Sequence, residues 1–260
     1  MPISHDLKTI FIHIPKNAGE SIERSLGMYA GNPQQNFFGV VNNRHVLQHL
    51  TANELRSRRQ FSEIWHEYFK FAVVRNPWSK AVSEYNWYLR YGPIIPFYEW
   101  INSLENRIKI NNSIHTWEVG HNIEQYKFIY DNKNDLIIDK IIRFENLDSS
   151  FTSLCSEKHW DVELIKASTT ASNIDIPFYE YYDEESALKI SKIYARDIQK
   201  FGYSIEETFF SYSFKDKPIE LDEFFDEKSY LDANPDVKES GINAFKHYLD
   251  FGIREQRKLR

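Results

Sequence analysis

Two short runs of β-branched and aromatic residues, each cut off by a proline-bearing loop and each followed by helical periodicity, constrain this chain more than any other feature. The first run, Lys8 to Ile14, reads as a buried strand that stops at Pro15, where the next ladder donor is missing. After the loop Lys16 to Ser21, the residues Ile22, Ser25, Leu26 and Tyr29 recur at helical spacing, with Gly31, Asn32 and Pro33 as a stop beyond them. The second run, Phe69 to Val74, is apolar but for Lys70, as expected of a parallel strand covered on both faces. It ends in Arg75-Asn76-Pro77. Trp78, Ala81, Val82, Tyr85, Tyr88 and Leu89 then continue as a long helix with Pro77 at its first position.

Weaker signals fill in the frame. Thr51 and Glu54 are spaced as a capping box for a helix running to Trp65. A third strand is predicted around Ile141 to Phe144, and one helix over Glu184 to Phe201, ended by Gly202. The stretch Tyr91 to Asp139 has no clean period and reads as short helices and loops near the mouth of a site. Strands alternating with helices predict a three-layer α/β domain of P-loop-like architecture, with a mainly parallel central sheet flanked by helices, whose ligands bind beyond the carboxyl ends of the strands. Both marked loops lie at such ends.

At 260 residues there is room for one large domain and a small appendage. The division expected is 1–215 for the α/β domain and 216–260 for a C-terminal helical module built around Asn234-Pro235-Asp236. A net charge of -6 and a pI near 5.9 argue against a general nucleic-acid binder, so any anion site must be local. Cys155 is the sole cysteine, which rules out an intrachain disulfide and a multi-thiolate zinc site and fits a reducing compartment. Nothing resembles a signal segment or a spanning apolar run. A cytoplasmic protein without stable membrane insertion is expected.

The first loop has the parts of an anion cradle. A glycine and small residues between strand and helix let backbone N–H groups converge, Lys16 brings a mobile point charge and Ser21 a hydroxyl. It is not a Walker A loop, because Lys16 precedes Gly19 instead of following a second glycine. The competing reading is an ordinary strand-to-helix turn with a solvated lysine. The second loop places Arg75, a planar fork suited to phosphate, at a strand end, with Ser83 eight positions later. Singly, Arg75 pairing with a carboxylate and Ser83 facing solvent is the blander alternative.

Together the two segments resemble the nucleotide-binding signatures of sulfotransferases that use PAPS (3′-phosphoadenosine 5′-phosphosulfate). The branch resembled is the Golgi-type and bacterial carbohydrate one, which is family-2-like and includes heparan and chondroitin sulfotransferases. IPKNAGES, HLTANEL, YFKFAVVRNPW, IIRFENL and IYARDIQKFGY carry the resemblance in that order, over Lys8 to Tyr203. The resemblance implies that Pro15, Lys16, Asn17, Ala18, Gly19, Glu20 and Ser21 hold the 5′-phosphosulfate, with Lys16 against the transferred group. It implies that Arg75 and Ser83 hold the 3′-phosphate, that His49 is the general base with His45 in reserve, and that His121 and Gln125 lie on the acceptor side. No metal is expected. Two positions depart from the pattern: Glu20 stands where the family often has Thr, and Lys80 where it usually has a second Arg. A carboxylate aimed at the phosphosulfate would repel it, so Glu20 is expected to contribute backbone only.

The function implied is transfer of a sulfuryl group from PAPS to a hydroxyl of a carbohydrate, such as a cell-surface or capsular glycan or its precursor. A nucleotide-dependent kinase and a non-catalytic assembly module that retains the nucleotide are the alternatives; the missing Walker A pattern weighs against the first, intact Lys16 and His49 against the second. The tail YLDANPDVKESGINAFKHYLDFGIREQRK resembles a module found beside bacterial enzymes of surface-saccharide assembly.

Overall fold

The structure is a computed structural model that describes residues 2–28, 40–41, 45–110, 121–167, 176–210, 212, 214, 225–252, 255 and 257–258. Its centre is a four-stranded sheet. The short strand β1 (Ile3–Ser4) pairs antiparallel with β2 (Thr9–Ile12). A two-residue hairpin, β3 (Val40–Val41) against β4 (His45–Val46), stands apart from it. β5 (Phe69–Val74) then lies parallel to β2, and β6 (Lys140–Arg143) parallel to β5, giving the order β1-β2-β5-β6. The mainly parallel sheet expected from the sequence is present.

The pleat explains why the strands read as mainly apolar runs with no polar alternation. Alternate residues point to opposite faces, and both faces are covered. Ile10, Ile12, Ala72 and Val74 pack on one side with α2 (Ala52–Ser57), α3 (Ser62–Glu67) and the short α6 (Tyr126–Ile129). Phe11, Phe71 and Val73 pack on the other with α1 (Gly19–Ser25) and α7 (Leu147–Lys158). A third cluster joins α4 (Pro77–Tyr91), α5 (Phe97–Ile110) and α8 (Glu184–Ile193) around Trp78, Tyr85, Trp100 and Tyr182.

Local signals set most element ends. Thr51 and Glu54 form the capping box on α2, and Asn76 caps α4 by accepting from the N–H groups of Trp78 and Ser79, with Pro77 at the first position. Gly202, in the left-handed region at φ 63°, closes α9 (Ala195–Phe201). Three expectations need correction. The helix over Thr51 to Trp65 breaks at Arg58, whose extended backbone separates α2 from α3. The helix over Glu184 to Phe201 divides at Tyr194. Tyr91 to Asp139 contains the fourteen-residue α5, whose apolar side, including Phe97, Trp100, Ile101 and Leu104, is buried in the third cluster.

In the tail, helices span Glu227–Ala233, Pro235–Ser240 and Ala244–His247, matching the expected series of short helices. Their Phe225, Tyr230, Val237 and Phe245 belong to the same buried cluster as Trp78. The proposed boundary between 215 and 216 lies outside the described residues, as do Tyr29, the stop at Gly31 to Pro33, Arg254 and Arg260. Among the described residues no helix is long and apolar enough to cross a membrane.

One buried carboxylate ties α9 to the sheet's carboxyl end. Asp197 is fully buried and accepts from the backbone N–H groups of Gln125 and Tyr126, each at 2.8 Å. Burial pushes its carboxyl up to about 6 despite those bonds. Asp197→Ala would strand two buried donors, so urea unfolding should show a loss of about 3 kcal/mol, with Asp197→Asn losing less because its oxygen still accepts.

Candidate functional site

The first loop owes its shape to residues other than its glycine. Lys16 and Ala18 adopt left-handed backbone, at φ 67° and 60°. A left-handed residue on either side of Asn17 curls the chain so that successive N–H groups can line one concavity. No side chain caps α1, and among the described residues nothing accepts from the N–H groups of Lys16 through Ser21. Groups of this kind call for an acceptor from outside.

Gly19 is needed for space. A Cβ there would fall 1.8 Å from Nε2 of His13, whose ring lies across the loop. His13 is fixed in turn by Glu23, with Nδ1 and Oε1 2.5 Å apart and Glu23 only 1 % exposed. Glu20 turns outward and pairs with Arg24 one turn on, at 2.7 Å, so its carboxylate leaves the loop free. The Ser21 oxygen accepts from the N–H of Ala167, which leaves its own hydrogen available to a ligand.

The second loop is bound to the first. Nη1 of Arg75 donates to the carbonyl of Lys16 at 3.0 Å, its Nε donates to Ser79 at 2.9 Å, and the guanidinium lies 4.0 Å over the ring of Phe144. Ser83, half-buried, follows Ser79 by one turn of α4. Glu145 accepts from the N–H of Asn76 at 2.6 Å and steadies the start of that helix. Gln125 joins both loops: its oxygen accepts from Asn17 Nδ2 at 2.7 Å and from the N–H of Arg75 at 2.9 Å, while its Nε2 donates to the carbonyl of Arg75 at 2.8 Å. Gln125 is wholly buried. Its place is between the loops, where it ties the Asn17 side chain to the Arg75 backbone.

Beside the loops stand three histidines. His49 is buried, its ring 4.5 Å from that of His13 and 5.3 Å from that of His121, edge-on to each. Its Nδ1 lies 3.1 Å from the carbonyl oxygen of His13, which can only accept. Nδ1 therefore carries the hydrogen, and Nε2, with the Gln48 amide 3.3 Å away, is the basic nitrogen. Burial, then the charges of His13 and His121, hold His49 well below the usual imidazole range. His121 sits 3.2 Å from both oxygens of Glu84. His45 is described only as backbone of β4.

Electrostatically the pocket is basic within an acidic chain. Burial brings the Lys16 ammonium down to about 8, with Glu84 opposing and Arg75, Arg90 and Lys80 adding to the fall. Burial also lowers Arg75, to about 10, against Glu145 and Tyr203. Lys80 points inward: its ammonium donates to the carbonyl of His121 at 2.6 Å. Open donors, a half-buried lysine, an arginine and a neutral imidazole together suit transfer of an anionic group to a hydroxyl.

A family model described as the sulfotransferase family matches residues 1–204. This chain belongs to the sulfotransferase family. No curated protein and no solved structure matches it. The α/β sulfotransferase fold accounts for the strand-loop-helix units at both loops, and membership makes the chain a transferase of sulfuryl groups. His13, Glu23, Glu84 and Asp197 escaped the sequence reading. Glu84 and Asp197 meet partners 37 and 72 residues away, and His13 meets Glu23 across a loop whose path the sequence does not show; only Glu84, four residues after Lys80 on one helix, had a local signal.

The crowding at Gly19 is directly testable. Gly19→Ala in the sulfotransferase should cost about 1 to 3 kcal/mol in urea unfolding, and the cost should shrink in a His13→Ala background. An equal penalty in both backgrounds would show that His13 is not the obstacle.

Proposed function

We propose that this sulfotransferase moves a sulfuryl group from PAPS to a hydroxyl of a carbohydrate, a cell-surface or capsular glycan or its precursor, in the cytoplasm. The observation that carries the reading is the joining of the two loops. Arg75 reaches the carbonyl of Lys16, and Gln125 spans Asn17 and Arg75, so two anion-holding segments face one ligand. A nucleotide phosphorylated at both ends fits that arrangement. Residues 15 to 21 would receive the 5′-phosphosulfate, with Pro15 shaping the turn and the open N–H groups of Lys16 to Ser21 donating, and Arg75 with Ser83 the 3′-phosphate.

In the reaction the acceptor oxygen attacks sulfur as the bond from sulfur to the bridging phosphate oxygen breaks, releasing PAP. Lys16 stabilises the charge that grows on the bridging oxygen, and Nε2 of His49 takes the acceptor proton. His49 is held neutral beforehand, as a base must be. His121 is read as belonging to the acceptor side, and its edge contact with His49 supports that reading. Glu20 contributes backbone only, its carboxylate being engaged by Arg24. The acceptor as a sugar rests on the family branch, and residues 216–260 are read as an appended module that serves the same pathway class, surface-saccharide assembly.

Calorimetric titration with PAP beside ATP tests the donor. PAP should bind and ATP should not compete; ATP binding without PAP would favour a kinase. Lys16→Ala should lower turnover by about a hundredfold or more, whereas Arg75→Ala should chiefly weaken PAP. Equal PAP affinity in wild type and Arg75→Ala would remove Arg75 from the site.

The lowered lysine adds a pH signature. A bound anion favours charged Lys16, whose ammonium titrates near 8 in the free protein. The PAP association constant should therefore be flat below that pH and fall by about tenfold per unit above it, with matching proton uptake. An affinity constant from pH 7 to 9.5 would place Lys16 away from the phosphates.

A further inference from the structure

The base is flanked by two pairs that the transfer reaction itself does not require. On one side His13 Nδ1 meets Glu23 of α1 at 2.5 Å; on the other His121 Nδ1 meets Glu84 of α4 at 3.2 Å. The carboxylates are 1 % and 2 % exposed, and His13, His49 and His121 are all buried. The result is a continuous array, Glu23, His13, His49, His121, Glu84, assembled from α1, the β2 loop, the turn before α2, the segment after 120, and α4.

We propose that Glu23 with His13 and Glu84 with His121 are positioning pairs that clamp the His49 ring edge-on and keep its Nε2 unprotonated and ready to accept a proton. This rests on the reading of His49 as base. Each carboxylate accepts from its imidazole's Nδ1–H, which fixes that ring's tautomer and orientation. Two rings so held, 4.5 and 5.3 Å from His49, add to burial in disfavouring a proton there. The His13 carbonyl completes the clamp by engaging Nδ1. Among the described residues, the groups facing His49 are these two pairs and the neutral Gln48 amide. The ordinary alternative is that the pairs merely satisfy buried polar atoms.

Imidazole nitrogen NMR on the free protein separates these readings without an acceptor. In wild type, His49 should be the Nδ1–H tautomer and stay neutral at a pH where an ordinary imidazole is half protonated. In Glu23→Gln, which frees the His13 ring, the His49 tautomers should mix, its midpoint should move toward the ordinary imidazole value, and the acid limb of turnover should move with it. Glu23 is the cleaner site, because Glu84 also acts on Lys16. Unchanged His49 signals in folded Glu23→Gln and Glu84→Gln would overturn the proposal. So would a wild-type His49 that titrates near the usual imidazole value or carries its hydrogen on Nε2, a result that needs no variant. Full turnover in His49→Gln would instead end the reading of His49 as base, with the NMR result standing apart from it.

Discussion

The side-chain amide of Gln125 is the contact on which the site's geometry depends. It bridges two loops that lie 50 residues and more apart in sequence, engaging Asn17 from one and the backbone N–H and carbonyl of Arg75 from the other. Its own backbone is held by Asp197 of α9. These groups are fully or nearly out of water, where a hydrogen bond left unmade costs far more than one made gains. The knot therefore has one good arrangement, and that arrangement sets the distance between the loops. An amide suits this place because it donates and accepts at once and remains neutral beside Lys16 and Arg75.

Charge is arranged around the same knot. The protein as a whole is acidic, yet Lys16, Arg75, Lys80 and Arg90 act on one another at the carboxyl end of the sheet. Without a ligand Lys16 titrates near 8, first because it is buried and then because Arg75, Arg90 and Lys80 add to the fall against Glu84. Glu84 offsets part of the repulsion. Burial pushes its carboxyl up, but His121, Lys16 and Lys80 together outweigh burial and leave it below its ordinary value. An arriving anion relieves what Glu84 cannot, so binding energy is stored in the free protein as uncompensated positive charge.

What the sequence made legible follows from range. Strand runs, the Thr51 and Glu54 box, Pro77 at a first turn and Gly202 at a helix end are local, and each appears where its residues predict. The loops were legible as a matched pair. The reasons inside them were not. Gly19 suggests backbone freedom, but the left-handed positions are Lys16 and Ala18, and the glycine instead makes room for His13. Gln125 looks like an acceptor contact because a polar side chain in an unpatterned stretch gives no sign of being buried. Its burial depends on Asn17 and Asp197, 108 residues before it and 72 after.

Helix α4 joins the second loop to the histidine cluster, and its period explains how. Ser79 and Ser83 share one stripe, and Ser79 is fixed by the Arg75 guanidinium. Lys80 and Glu84, also four apart, lie on the neighbouring stripe about 100° around the helix, and reach the carbonyl and the ring of His121 beside His49. The lysine at position 80 makes sense here: a flexible stem ending in a compact ammonium can turn inward to a carbonyl, where the wide fork of an arginine would need a second acceptor. Lys80 thus braces the segment that carries His121. One rigid helix, capped by Asn76 and steadied by Glu145, then fixes the Arg75 and Ser79 contact and the His121 pair relative to each other.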